Sequence, residues 1–413
     1  MRIIKLSSYF YPESVASSYL GETVREAYAH AGIETVVYVP TPSRGVTDEQ
    51  RQHYKKNPNE TQLNGMLHIR RFSLWKEGKN PLGRALRYFV QCVKLYFLGV
   101  YDKDAKSASV ITSSSTPPIL GITAGLIKKR THKAWVYDLQ DIFPDSLVGT
   151  GMTHKGSLLW KIGRVIEKFT YKHADKIIVI SKDFKENLLE KGVPEEKIEV
   201  IYNWVDENAV HPVSDDENPL FEEFDVSKDK FRVVYAGNFG NAQNIGIILD
   251  AAARMKDNDK VEFILFGKGG MEDEIRGRIL DESLTNVKLL PLQPFDRVSY
   301  VYSLGNVCVV TCKPGLGGAA MPSKTWSVMS AGRAVLANFD EGELKAIVEG
   351  HHCGVFTKAG DLEGFVAGIE NLMRKEEECE EMGRNGRKFI LQNLTKEIGT
   401  KKYVNIIKSF EKE

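Results

Sequence analysis

PGLGGAAMPSKTWSVMSAGRAVLAN, residues 314–338, follows the apolar run NVCVV at 306–310. Gly315, Gly317 and Gly318 open it, Met321 and Pro322 follow, and a helix-forming stretch leads into a second apolar run, AVLAN. Strand, glycine loop, helix and strand in that order form the repeating unit of a parallel α/β sheet. Glycines let backbone approach a ligand closely. Pro322 suits the first turn of a helix whose amide groups point back at the loop. A helix start behind glycines favours phosphate, and Lys324, next to Ser323, adds a full charge there. The same residues would also make an ordinary loop with a solvated lysine, and spacing alone leaves both readings open.

The rhythm extends outward from this segment. Upstream, FRVVYAG (231–237), VEFILFG (261–267) and NVKLLP (286–291) read as strands of the same series. The first half of the chain repeats the pattern with strands at 2–6, 35–39, 68–72, 110–113, 134–137, 176–180 and 198–202, and with amphipathic helices at 17–31, 84–101 and 158–172. Residues 206–230, polar and acidic, suit a surface connection. The expected organisation is α/β throughout. A Rossmann-like domain covers residues 1–208 and a second covers 209–392. A helix at 393–413, with Tyr403, Ile406, Ile407 and Phe410 on one face, returns to the first domain. Two such sheets would face each other across a cleft at the carboxyl ends of their strands.

Composition narrows the function. The 413 residues are 42% hydrophobic and 27% charged, with a net charge of +1. No global field points to nucleic acid. Five scattered cysteines, an odd number, suit a reducing compartment, and Cys308 and Cys312 read as core residues rather than zinc ligands. MRIIKLSSYF is too short an apolar run for a signal peptide, and no apolar run approaches the roughly 20 residues of a membrane span. A cytoplasmic enzyme is expected. Asp102-Lys103-Asp104 reads as a solvated turn at a helix end, not a metal site.

Four segments carry a family resemblance. MPSK with the following MSAGRAV resembles the donor-binding segment of family 4 glycosyltransferases of the GT-B fold, most closely the fucosamine-transferase branch of bacterial O-antigen and capsule synthesis. SSYFYPESVASSYLGETVREAYAHAGIETVVYV is similar to the family's first strand, acceptor loop and first helix. DLQDIFPDSLVGTG is similar to its DLWPES stretch, and YAGNFGNAQNIGIILDAA to the start of its donor-binding domain. The resemblance implies transfer of a sugar from a nucleotide-sugar, UDP-linked, with retention of anomeric configuration and without metal or other cofactor. It implies a polyprenyl-diphosphate-linked or other glycan acceptor. It also brings a departure: the two donor-segment glutamates of the wider family align with Ala319 and Ser327, leaving Ser327 to bind the ribose as a neutral partner.

Cleavage of the anomeric bond builds negative charge on the leaving diphosphate, which backbone amides and cations must stabilise. The candidates are Gly237 and Asn238, Lys268 in FGKGG, the Gly317-Gly318 loop with Met321 and Pro322, and Ser323 with Lys324. Asp141, preceded by Gln140 where relatives carry histidine, would orient acceptor or sugar, or else cap a helix. Glu13 and Ser17, in the loop after the first strand, would line the acceptor side, although Glu13 also suits a first-turn carboxylate. The stretch RALRYFVQCVKLYFLGVY (84–101) fits either an interfacial helix on the inner face of the membrane or a domain helix buried on a broad face. Two other functions share this architecture: a UDP-sugar 2-epimerase and a catalytically silent partner subunit.

Overall fold

The computed structural model describes residues 1–13, 18–78, 80–149, 151–317 and 320–411. Ser17 and Gly318 lie outside the described residues. The chain forms two units, Met1–Tyr202 with Glu397–Glu413, and Asn203–Lys396.

The first unit is built on strands β1 (Arg2–Leu6), β2 (Glu34–Pro40), β3 (Asn59–Gln62), β4 (Leu67–Phe72), β5 (Val110–Ser114), β6 (Ala134–Leu139), β7 (Lys176–Val179) and β8 (Ile198–Val200). They form one sheet in the order β3-β4-β2-β1-β5-β6-β7-β8. Every pairing is parallel except β3 with β4. The central strands are apolar on both faces, and Ile3, Ile4, Val36, Val37 and Ile111 are fully buried, as a sheet covered on both sides requires. The antiparallel strand β3, NETQ, is polar and mostly exposed, a composition that protects a sheet edge.

The closing helix, Lys396–Lys408, belongs to this unit. It buries Tyr403 and Ile407, and the Tyr403 hydroxyl donates to Asp138 on β6 at 3.2 Å.

The second unit carries β9 (Phe231–Asn238), β10 (Val261–Lys268), β11 (Val287–Pro291), β12 (Val307–Thr311), β13 (Ala334–Phe339) and β14 (Gly354–Lys358). Their order is β11-β10-β9-β12-β13-β14, all parallel. The chain runs outward from β9 through β10 to β11, then crosses back to β12 and runs the other way. The reversal places a switch point between β9 and β12, where sheets of this kind hold ligands.

The boundary falls earlier than residue 208, and 206–230 is not a loose connection. Trp204, Val205, Val210, Val213, Leu220 and Phe221 are buried. Arg387 donates to the carbonyls of Glu207 and Val210, and Ser330 donates to Val210 at 2.6 Å. Buried apolar side chains and satisfied backbone groups tie this segment into the second unit.

Candidate functional site

Strand β9 ends in Tyr235-Ala236-Gly237-Asn238, beside Phe266-Gly267-Lys268 of β10, with Gly237 opposite Gly267 and Asn238 opposite Lys268. The two glycines let the strand ends close up, since a Cβ on Gly267 would lie 2.4 Å from the Gly237 carbonyl oxygen. From the other side of the switch point comes Lys324, first residue of the helix Lys324–Ser330. Its ammonium donates to the Tyr235 hydroxyl at 2.8 Å and lies 4.1 Å from the centre of that ring. The Tyr235 hydroxyl in turn donates to the Asn238 carbonyl at 2.9 Å. Gly237 has φ +148°, and a Cβ there would sit 3.1 Å from the ammonium nitrogen. Absence of a side chain at Gly237 is what leaves Lys324 its room.

Burial lowers the Lys324 ammonium to about 8. Among the described residues no carboxylate lies within ion-pair distance of it. A cation held by a phenol and an aromatic face, without a counter-charge, favours any anion that reaches it. Lys268 stands exposed at the end of β10, so the structure brings Gly237, Asn238, Lys268 and Lys324 to the same end of one sheet.

In the glycine loop, Gly317 is engaged in packing. The Gly317 N–H donates to the Asp340 carboxylate at 2.7 Å, and a Cβ on Gly317 would meet Phe339 and Asp340 at 2.8 Å. Gly317 serves packing against the end of β13, and its amide is not free for a ligand. Pro322 lies ahead of the helix rather than in its first turn, and Ser323 stands at the cap position without a side-chain cap bond. Thr325 and Trp326 donate their N–H groups to the carbonyls of Pro322 and Ser323 at 3.0 and 3.1 Å. With seven residues and two amides so occupied, this helix offers little dipole, and the charge of Lys324 dominates. Met321 is buried, Ser323 exposed, and Ser327 half-buried one turn into the helix.

In the first unit, Glu13 is 3% exposed, and one carboxylate oxygen accepts the N–H groups of Ser43 and Arg44 at 2.7 and 2.8 Å. Burial raises its pKa against those hydrogen bonds. It braces the turn after β2, neither a projecting acceptor ligand nor a first-turn carboxylate. Asp141, just past β6, is exposed and accepts from the Ser146 hydroxyl at 3.2 Å. The Gln140 side chain is directed at Asp138, 2.8 Å away. Asp102 caps the helix Lys103–Ser107 and accepts from Tyr38, while Asp104 pairs with Arg70 at 3.2 Å. These carboxylates hold structure rather than forming a solvated turn. Among the described residues no group of three or more His, Cys, Asp or Glu is placed to hold a metal.

Two features escaped the sequence reading. Tyr235 was not singled out within the strand run FRVVYAG, although residues two apart on a strand share a face and Gly237 was already a candidate. The second is Glu77, at the carboxyl end of the first sheet. Arg44 binds it at 2.8 Å, Arg84 at 3.1 Å, and the Tyr9 hydroxyl at 3.0 Å. Burial would raise Glu77, but hydrogen bonds from Arg44 and Tyr9 and the charges of Arg44 and Arg87 outweigh it and hold the carboxyl at about 2. A cavity of about 420 Å³ also opens in the second unit, lined by Phe231, Asn306 and Arg333 at the amino ends of the strands, the wrong end for the switch point.

Comparison with known proteins bears on this arrangement. A family model described as Glycosyltransferase Family 4 matches residues 19–209, and one described as Glycosyl transferases group 1 matches 216–389. WbjE of Pseudomonas aeruginosa, named as a probable glycosyltransferase, is 26% identical over 305 residues, 74% of this chain and 75% of that protein. WcaI of Escherichia coli (strain K12), provisionally named as a colanic acid biosynthesis glycosyl transferase, is 25% identical over 288 residues, 68% and 70% of the two chains. Among solved structures, sucrose-phosphate synthase from Thermosynechococcus elongatus superposes with a TM-score of 0.76 at 16% identity, covering 99% of this chain and 98% of that one. HepE from Anabaena in complex with UDP superposes at 0.73 and 16% identity, covering 99% and 100%.

Proposed function

We propose that this chain, which belongs to the family 4 glycosyltransferases of the GT-B fold, takes its sugar from a UDP-linked donor whose diphosphate is met by Lys324. The product belongs to polysaccharide biosynthesis. The observation that carries the donor assignment is the uncompensated ammonium of Lys324 at the β9/β12 switch point, held against Tyr235 and given room by Gly237. The UDP-bound structural neighbour supports the choice of nucleotide.

As the anomeric bond breaks, charge accumulates on the leaving phosphate oxygens. Lys324 opposes that charge from a poorly solvated position, where it acts most strongly. Lys268 adds a second, more screened cation, and Ser327 offers a neutral hydroxyl toward the ribose. The reaction proceeds with retention: acceptor attack and donor departure share one face of the sugar, and the leaving phosphate takes the acceptor proton. That route needs no strong protein base. The acceptor is a lipid-linked glycan of surface polysaccharide assembly, and the donor sugar is a hexose or N-acetylhexosamine of the fucosamine type.

A thermal-shift panel of UDP, GDP and their sugars tests the reading, since a ligand bound only by the folded state raises its melting temperature. UDP and UDP-sugars should raise it. A rise with GDP alone would reassign the nucleotide, and no rise with any member would remove the donor site.

A further inference from the structure

Two helices of the first unit are turned inside out with respect to ordinary amphipathicity. The helix Pro81–Tyr101 buries Arg87 and Gln91 along with Leu95, Gly99 and Val100. Its outer face carries Leu82, Leu86, Phe89, Val93, Phe97 and Tyr101, with Leu82 82% exposed and Phe89 58%. The buried polar groups have partners within: Arg87 donates to Ser43 and to the Trp75 carbonyl, and Gln91 donates to Ser8. The expected broad buried face is absent.

The helix Leu158–His173 repeats the pattern. It buries Gly163, Glu167, Thr170 and Tyr171, and exposes Leu158, Leu159, Ile162 and Val165. Between the two lies Leu120–Thr131, which is mostly buried but exposes Leu126. Glycines bring the three together: a Cβ on Gly99 would strike Ile127, and one on Gly121 would strike Thr170. The exposed apolar stripes therefore belong to one continuous helical layer.

The layer is also strongly basic in a chain of net charge +1. The three helices contain a single acid, Glu167, which is buried against Lys191 and Arg164. Lys128 pairs with Asp175. Lys94, Lys129, Arg130, Lys161, Lys168 and Lys172 have no acidic partner among the described residues.

We propose that this three-helix layer docks on a lipid bilayer bearing anionic headgroups. Apolar side chains would enter the interface while the lysines reach headgroup phosphates, as basic amphipathic surfaces do. No helix among the described residues is long and apolar enough to cross a membrane, so the layer lies on the bilayer rather than spanning it. A second copy of the chain is the poorer occupant, because a self-complementary contact would set like charges against each other. The surface is independent of the donor chemistry.

The full-length protein should sediment with vesicles of equal parts phosphatidylglycerol and phosphatidylcholine, far less with phosphatidylcholine alone, and be released by salt. The triple variant Leu86→Ser, Phe89→Ser, Phe97→Ser should bind at least ~10-fold more weakly with an unchanged melting temperature, since these side chains are already exposed. Lys161→Gln with Lys168→Gln and Lys172→Gln, on the other helix, should weaken binding to the anionic vesicles selectively. The proposal is overturned by absence of vesicle binding, by unaltered binding in both variants, or by a dimer that the serine variant dissociates.

Discussion

The Lys324 ammonium donates to the Tyr235 hydroxyl across 2.8 Å, and that hydroxyl donates in turn to the Asn238 carbonyl at 2.9 Å. A lysine is thus fixed in direction by a strand of the sheet it faces, and its charge is left unmatched.

Replacing Lys324 by alanine removes a cation where charge develops. The loss of transition-state stabilisation should be about 2–4 kcal/mol, or roughly 30- to 1000-fold in rate, seen more in kcat than in KM. Stability should hold or rise slightly, because a poorly solvated charge without a partner is itself a cost. Steady-state kinetics with a denaturation midpoint measures both. Lys268→Ala, at an exposed position, should give a smaller version of the kinetic effect.

Gly237→Ala should damage donor use without touching a charged group. The added Cβ would lie 3.1 Å from the Lys324 nitrogen on a backbone at φ +148°, so the strand end or the lysine must move. A stability loss of about 1 kcal/mol together with weaker donor binding is expected. Full donor affinity in this variant would show that the lysine position is immaterial.

The pH dependence has a definite sign. Burial lowers Lys324 from 10.5 to about 8 in the free protein, so the cost of burying its charge applies below 8 and is relieved as pH rises toward 10.5. Donor affinity should run the other way, strongest below 8 and falling above it, with proton uptake on binding near pH 8. Titration calorimetry in buffers of different ionisation heat would register that uptake, and Lys324→Ala should abolish it.

Glu77 is held at about 2 against an ordinary 4.5. Its folded pKa is depressed, so its contribution to stability is present above 4.5 and lost as pH falls toward 2. Glu77→Gln should be destabilising at neutral pH, and the gap from wild type should narrow on acidification through that window. Urea denaturation at several pH values tests it.

Chelation should leave turnover within about twofold, because lysine charge does the work a metal would otherwise do. Complete loss with EDTA, restored by magnesium, would contradict that part of the account.

Where the chain was legible, hydrophobic pattern made it so. Strands such as β1 and β10 are apolar runs bounded by turn residues, and their parallel order follows from the helices between them. β3 was not legible because NETQ has no apolar residue and exists only by pairing with β4. The place of Lys324 at a helix start was legible from its neighbours in sequence, whereas Tyr235 is distant from it in the chain and meets it only in the folded sheet. The packing role of Gly317 was not legible, because a glycine required for close packing and one required for ligand approach look identical in sequence. The acidic segment near 216 hid its buried Leu220 and Phe221 for a similar reason: a few apolar residues without a period carry no pattern.

The donor account meets its most direct test in calorimetric titration of UDP and of uridine into wild-type protein and Lys324→Ala. If Lys324 faces the diphosphate, UDP should bind the wild type and lose at least ~10-fold in affinity in the variant, a charge-assisted contact of about 1.5–3 kcal/mol, while weak uridine binding stays the same in both. Equal UDP affinity in the two proteins would show that Lys324 is an ordinary lysine resting on Tyr235, and the diphosphate would have to be placed elsewhere.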